Sequence, residues 1–410
     1  MTVLVPKVEI AWSGDLIGVF TLDDGTGAYA SDLDGDDTLA AAFGNDTFDD
    51  ISGAVNAFTI RRGRSGNLGM VQAGSCTLTL NDLNGTYNPR NPASPLAGLL
   101  DAMRPVRVSI ERDGTTYGLF YGFISDITSN PSIRVQEATI ECVDLYDWLN
   151  NCKPTIAATG ATTVGAVIGL ILDELGWLPR DLDTGGSIPD FSADGTKSAW
   201  TLIEELLKVD LGLFYPSGDS EGTAIYRSRD SRWCRSAPLA VWDGLIMSGL
   251  RPSLNARSIV NRQTVTRTGG TAQTYTDEDS RRAKGYRDGS AIESAYLSTD
   301  GEALNLAEFL VALQVSGRPP VENVVLIGVD EDWEVQILNR QLNDRVTLSE
   351  TRGGTSLDGV IEGVTLNWTV VTPLTASYTV SHRPFDVFTL ADDVADDGGS
   401  DIGGDDILGY

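Results

Sequence analysis

Over residues 58–148 the sequence alternates apolar and polar side chains in run after run, and turn residues close each run. Cys76, Leu78 and Leu80 interleave with Thr77 and Thr79. Val106, Val108 and Ile110 interleave with Arg107, Ser109 and Glu111. A period of two puts one set on a buried face and the other in water, which marks a half-buried strand. Asp113-Gly114 supplies a tight hairpin turn, after which residues 117–124 return as an aromatic strand and 139–143 add one more. Consecutive antiparallel strands of this kind hide one face by curling on themselves or stacking, so a small barrel or sandwich is expected.

In order along this stretch come FTIRRGRS, NDLNGTYNPRNPASPL, PVRV, GTTYGLFYGFI and ATIECVDLYDWL. Together these pieces resemble the minor tail proteins of long-tailed phages, the baseplate-hub or tail-tip group. The resemblance implies a mainly β chain with α+β parts, in which two small tail-tube-like β-barrels flank a small α+β domain. It implies a homotrimer whose two barrels per chain imitate a six-fold tube, a structural role in the virion at the tail tip, and assembly in the host cytoplasm. It further implies the distal tail protein, the tape-measure protein and tail-fibre or other tail-tip proteins as partners, with DNA passing through the lumen without specific binding. A hexameric distal-tail ring is the near variant. A tail-associated cell-wall hydrolase and a glycan-binding module are the alternatives of another class, the latter because a β-rich chain with eight tryptophans could supply stacking surfaces.

Four units are expected along the 410 residues. They are an N-terminal β-barrel domain over 1–152 with an acidic arm at 23–50, a small α+β domain over 153–240, a second β-barrel domain with one helix over 241–388, and an acidic arm over 389–410. Lys153-Pro154 signals the first boundary. Thr162-Thr163 caps a helix that keeps Val164, Val167, Ile168, Ile171, Leu172 and Leu175 at helical spacing, with Gly176 beyond its end. Ser198 caps a second helix, with Trp200, Ile203, Leu206 and Leu207 inward and Gly212 as its stop. LFY and AIY around PSGDSEG form a hairpin. Strands follow at 258–267, 321–329, 345–348, 359–371 and 376–381. Between them an amphipathic helix over 302–316 is expected to bury Leu304, Leu306, Phe309, Leu310 and Leu313.

A formal net charge of −28 opposes nucleic-acid binding, which needs cations to displace counterions. It suits a net acidic lumen wall that DNA slides past, and solubility alone would account for the same number. No apolar run approaches the ~20 residues that span a bilayer, so no membrane insertion is expected, and the start is too polar for an export signal. The four cysteines form no CxxC pair and the single histidine leaves little for a Cys/His zinc site. A Cys142–Cys152 bond is possible, but a reducing cytoplasm opposes it. His382 ends a strand and reads as structural or exposed rather than as a base. Glu204 and Glu205 are neighbours on a helix and do not face a common site. Asp32, Asp34, Asp36 and Asp37 imitate a calcium loop, but Asp37 and Phe43 stand where that loop needs glycine and glutamate. No phosphate loop or nucleophile elbow occurs. No catalytic, cofactor or metal residue is assigned, and no enzymatic activity is expected.

The acidic arms match each other: SDLDGDDTL at 31–39 and SDIGGDDIL at 400–408. Phe20, Leu22, Leu33 and Leu39 correspond to Phe388, Leu390, Ile402 and Leu408. Regular apolar anchors in an acidic segment suit a chain that folds on binding. The arms are therefore expected to pack on a neighbouring chain, their carboxylates meeting the compact basic cluster of Arg61, Arg62 and Arg64. Contact of that cluster with DNA or tape-measure peptide is the alternative.

Overall fold

The structure, a computed structural model, describes residues 4–12, 48–66, 71–132, 136–233, 237–243, 247–350 and 353–383. Residues 13–47 and 384–410, and with them the matched acidic segments and Phe388, Leu390, Ile402 and Leu408, lie outside the described residues.

The first strands are β1 (Val5–Ile10), β2 (Asp49–Asp50), β3 (Val55–Gly63), β4 (Gln72–Asn81), β5 (Pro105–Arg112), β6 (Thr115–Pro131) and β7 (Gln136–Val143). The alternating runs fold as their period predicts. Cys76, Leu78, Leu80, Val106, Val108 and Ile110 are all buried, each large aliphatic contributing about 1.5–3 kcal/mol. Asp113 and Gly114 both take positive φ at the β5–β6 turn, the pair of left-handed positions that a tight hairpin needs. Helix α1 (Leu145–Asn151) follows, its first turn capped by the Asp144 carboxylate, which accepts from the Tyr146 amide.

In the middle of the chain, β8 (Thr155–Ile156) pairs with β12 (Ala193–Asp194), and β9 (Thr162–Thr163) with β11 (Ser187–Ile188). Strands β10 (Arg180–Leu182), β14 (Ala224–Arg227) and β13 (Leu213–Pro216) form a three-stranded sheet. Helices α2 (Val164–Glu174) and α3 (Ala199–Asp210) start at the caps expected, Thr163 and Ser198. Gly212 does not close α3. Leu211 turns left-handed one residue earlier, at φ 53. Gly212 is instead needed for a close passage, since a Cβ there would lie 2.7 Å from the Tyr226 ring and 2.8 Å from the Arg227 carbonyl oxygen. A short helix, α4 (Arg229–Trp233), ends this part.

The rest comprises β15 (Ala240–Asp243), β16 (Met247–Ser248), β17 (Arg262–Arg267), β18 (Gln273–Thr276), α5 (Glu278–Lys284), β19 (Ile292–Ser294), α6 (Asp300–Gln314), β20 (Val321–Ile327), α7 (Glu331–Asn339), β21 (Arg345–Glu350), β22 (Thr355–Thr369) and β23 (Thr372–His382). Three helices stand where one was expected. Helix α5 buries only Ser280, so no apolar period announced it. Helix α6 buries Ala303, Leu306, Ala307, Leu310, Val311 and Leu313, while Leu304 is exposed: the alanines, too small to count as a stripe, mark the buried face. The strand expected from 258 begins at Arg262, because Ala256–Ser258 is a 3-10 turn. Strands β17, β18 and β19 form a separate small sheet against α6.

Among the described residues thirteen strands share one sheet in the order β16-β20-β23-β22-β3-β4-β7-β6-β5-β1-β2, with β21 beside β22 and β15 beside β21. Among the described residues only the β15–β21 pair of this sheet is parallel, which makes the sheet mixed. The expected mainly β fold with α+β parts is present, but among the described residues neither half closes as a separate barrel: the strand path is open, and both halves belong to one sheet. The cause is the length of β22. Its first residues, up to Val360, pair with β21, and from Gly363 onward the same strand pairs with β3 of the first half.

Candidate functional site: the junction of two repeated halves

The two halves of the large sheet are built alike. Strands β3-β4-β7-β6-β5 of one and β16-β20-β23-β22-β21 of the other have the same spatial order and the same order along the chain. Their registers agree to the residue at the bulge of the long strand. Ile124 faces Cys142, one residue is skipped, and Asp126 faces Glu141. Ile361 faces Val380, one residue is skipped, and Gly363 faces Thr379. The bulged residues are Ser125 and Glu362. The sequence around them reads GFISDIT at 122–128 and GVIEGVT at 359–365. A Cβ on Gly122 would strike the carbonyl oxygen of Val143, and one on Gly359 would sit 2.6 Å from that of Ser381. Both glycines therefore stand where a long strand bends from one partner to the next, a place that excludes side chains.

The halves meet where β22 pairs with β3, from Gly363 opposite Gly63 to Thr369 opposite Ala57. At the outer end Phe58 stacks on Trp368 with ring centroids 5.4 Å apart, and Thr59 Oγ1 donates to Asn367 Oδ1 at 2.9 Å. At the inner end the backbones come so close that only glycine fits. Gly63 has φ 95, and a Cβ there would lie well inside contact distance of the Glu362 carbonyl oxygen.

The Glu362 side chain, bulged out of the ladder, is fully buried and holds three parts of the chain together. Arg64, just past β3, donates Nε to its Oε2 at 2.8 Å, and Arg232 of α4 donates Nη2 to its Oε1 at 2.7 Å. Arg232 also donates to the Leu211 carbonyl at 2.9 Å, and Arg383 donates to the Trp233 carbonyl. Burial by itself would raise the Glu362 carboxyl, but Arg232 and Arg64 outweigh it and hold it below the ordinary carboxylate range. Burial pulls the Arg232 guanidinium down to about 10, still cationic at neutral pH. Neither Glu362 nor Arg232 stood out in the sequence. The repeated glycine-flanked segment at 122–128 and 359–365 was the signal that could have led to them.

Of the basic cluster, Arg61 is exposed on β3, whereas Arg62 is buried and donates Nη2 to Gln341 Oε1 at 3.0 Å. Arg64 is held by Glu362 of its own chain. His382 lies with its Nε2 2.8 Å from Arg318 Nη1. Glu204 pairs with Lys208 and Glu205 with Lys197, facing different ways. Cys76 and Cys142 are opposite each other in β4 and β7, buried and unbridged, and Cys152 is also free. Among the described residues no group of three or more His, Cys, Asp or Glu is placed to hold a metal ion, and no helix is long and apolar enough to cross a membrane. A cleft of about 490 Å³ between α3, α6 and the small sheet is lined by Arg64, Trp200, Lys208, Gln263 and Leu310, without a histidine or cysteine.

Asp144 fixes the first half to α1. Its buried carboxylate accepts from the Gly74 amide at 2.8 Å and the Tyr146 amide at 3.0 Å. Burial pushes its pKa up to about 7, against the pull of those amides and of Arg62. Between the ordinary carboxylate range near ~4 and that value, the folded chain keeps a proton that the unfolded chain has released. Stability should therefore fall as pH rises through this window and level off above it. Thermal unfolding from about pH 4.5 to 8 checks the slope, which Asp144→Asn should flatten. Glu362, its pKa depressed, acts in the opposite sense: its contribution is present above the ordinary range and lost as pH falls below it.

No family model matches the sequence, and no curated protein matches it. Solved structures do match in fold. A tail protein from Neisseria meningitidis superposes with a TM-score of 0.60 at 10% identity, over 92% of this chain and 96% of that one. The 43 kDa tail protein of prophage MuSo2 from Shewanella oneidensis gives 0.57 at 14% identity, over 83% and 96%. A chain of the Francisella PdpA–VgrG complex gives 0.50 at 10% identity, over 93% of this chain and 52% of that one. The chain has the fold of phage tail proteins.

Proposed function

We propose, from that shared fold, that this chain is a non-enzymatic structural protein of a phage tail tip, a baseplate hub that closes the tail tube and connects it to host-recognition parts. One observation carries the reading: a single chain holds two sheet halves with the same strand order and the same bulge in the long strand, joined edge to edge. Three such chains present six equivalent halves to a tube of six-fold symmetry. A hexameric ring of six chains would present twelve, so the repeat favours the trimeric hub over the distal-tail ring. Each half is read as barrel-like, because consecutive segments reach both of its edges. Strand β15 pairs with β21 while β16, just after it, pairs with β20; β2 pairs with β1 while β3, just after it, pairs with β4.

The division into 1–152, 153–240, 241–388 and 389–410 belongs to this proposal. So do the distal tail, tape-measure and fibre proteins as partners, an acidic lumen that lets DNA pass, and a place in the virion after assembly in the host cytoplasm. Of the basic cluster, Arg61 is the member exposed enough to meet an acidic arm of another chain. Imaging of the purified assembly should show a three-fold ring with six similar lobes and a central channel. Deleting 389–410 should weaken that assembly while leaving the strands 55–143 folded. A truncated chain that assembles equally well at the same concentration and salt would show that the C-terminal arm takes no part.

A further inference from the structure

The register that joins the two halves within one chain leaves the same joint unfilled elsewhere. Matching the halves through their ladders makes Ala138 equivalent to Ala376, Leu80 to Leu326, and Val55 to Met247, since each pair has the same neighbours across the sheet. Likewise Asp126 is equivalent to Gly363. In the second half, the edge of β22 from Gly363 onward is covered by β3. In the first half, the equivalent edge of β6 is 126–131. Strand β5 reaches β6 only as far as Phe123, and among the described residues no strand lies beyond it on that side.

The counterpart is equally unused. Strand β3 bulges at Asn56, so Ala57 opposite Thr79 matches Ser248 opposite Val325, and residues 57–63, which cover β22, correspond to 248–254 in the second half. This segment leaves the ladder after Ser248, and residues 251–255 are exposed. Leu254 is 79% exposed, an unusual state for a leucine in a chain that buries most of its large aliphatics. Pro252 lacks an amide hydrogen, which confines the segment to pairing along one edge. Carrying the β22–β3 register across places Asp126 opposite Leu254, as Gly363 stands opposite Gly63, and Ile127 opposite Ser253, as Val364 stands opposite Arg62.

We infer that residues 126–131 of β6 pair antiparallel with residues 249–254 of a second copy of this chain, repeating between chains the joint that β22 and β3 make within one. The inference rests on the proposed hub reading and names the surface by which its chains meet. The contact is head-to-tail, so each chain offers one edge and receives the other, and the set closes into a ring if the rotation allows. The unpaired amides and carbonyls of β6 supply the hydrogen bonds.

Asp126 and Leu254 are both exposed, so cysteines there leave the fold alone. Directly opposed residues of an antiparallel pair have Cβ atoms about 4.5–5.5 Å apart, close to disulfide range. In a full-length chain carrying Cys152→Ser and Cys234→Ser, mild oxidation of Asp126→Cys mixed with Leu254→Cys should give covalent dimers, and neither alone should. The double variant should give a ladder of linked chains on a denaturing gel. If native mass measurement shows oligomers but the mixture does not link, the inference fails and the hub reading stands. If the protein is a monomer and nothing links, both fail. A link formed inside one chain would also overturn the inference.

Discussion

Glu362→Gln is expected to cost about 3–5 kcal/mol of stability, because it leaves the Arg64 and Arg232 guanidinium groups buried without a counter-charge. Glutamine keeps the volume, so the loss reports charge and not a cavity. Surface pairs such as Arg282 with Asp279 are worth only ~0–1 kcal/mol and give the baseline. Replacing all three members together, with Glu362→Leu, Arg64→Met and Arg232→Met, should recover most of the loss, since a buried ion pair has little advantage over well-packed apolar groups. The single and triple variants are compared by denaturant midpoint. Hydrogen exchange at 57–63 and 363–369 then tells whether the junction opens before the rest, as a chain of several parts allows. A Glu362→Gln protein as stable as the parent would mean that the three parts are held by the ladder alone.

Gly63→Ala should do comparable damage by a different route. The residue has φ 95, and its new methyl would press on the Glu362 carbonyl and lie 2.8 Å from Gly363 Cα. Backbone atoms in a ladder cannot move aside as a side-chain end can. Left-handed strain of ~1–2 kcal/mol and overpacking of ~1–3 kcal/mol add to roughly 2–5 kcal/mol. Gly98→Ala is the control: φ is 82 but nothing lies within 4 Å of the added methyl, so only the strain of ~1–2 kcal/mol remains. The expected result is faster exchange of amides 57–63 in Gly63→Ala, with amides in β5 and β7 protected as before. Equal effects of the two substitutions would show that the close approach at the junction is not tight.

Strand β4 was legible because one face is more exposed than the other, so the period of two survives in Cys76–Leu78–Leu80, and Val106–Val108–Ile110 keeps the same period in sequence although Ser109 between them is also buried. The helix starts at Thr163 and Ser198 were legible because a cap is local chemistry. Where two elements pass closely the sequence was misread: Gly212 carries no sign of whether it bends the chain or makes room for Tyr226. Helix α5 has no buried stripe to read. The joining of the halves was invisible for a related reason. Each half of β22 looks like any alternating strand, and nothing in a period says that one strand serves two partners. The arginine cluster was legible as a charge, but its partner Glu362 lies 298 residues away from Arg64. The repeat itself was written in GFISDIT and GVIEGVT, short enough to be passed over in favour of the acidic segments.

The central claim is that one chain carries two equivalent halves and that three chains complete a ring. Native mass measurement of the purified full-length protein, at micromolar concentration and moderate salt, tests it most directly. The account predicts a particle of three 43.8 kDa chains. A stable monomer, or a particle of six chains, would contradict it.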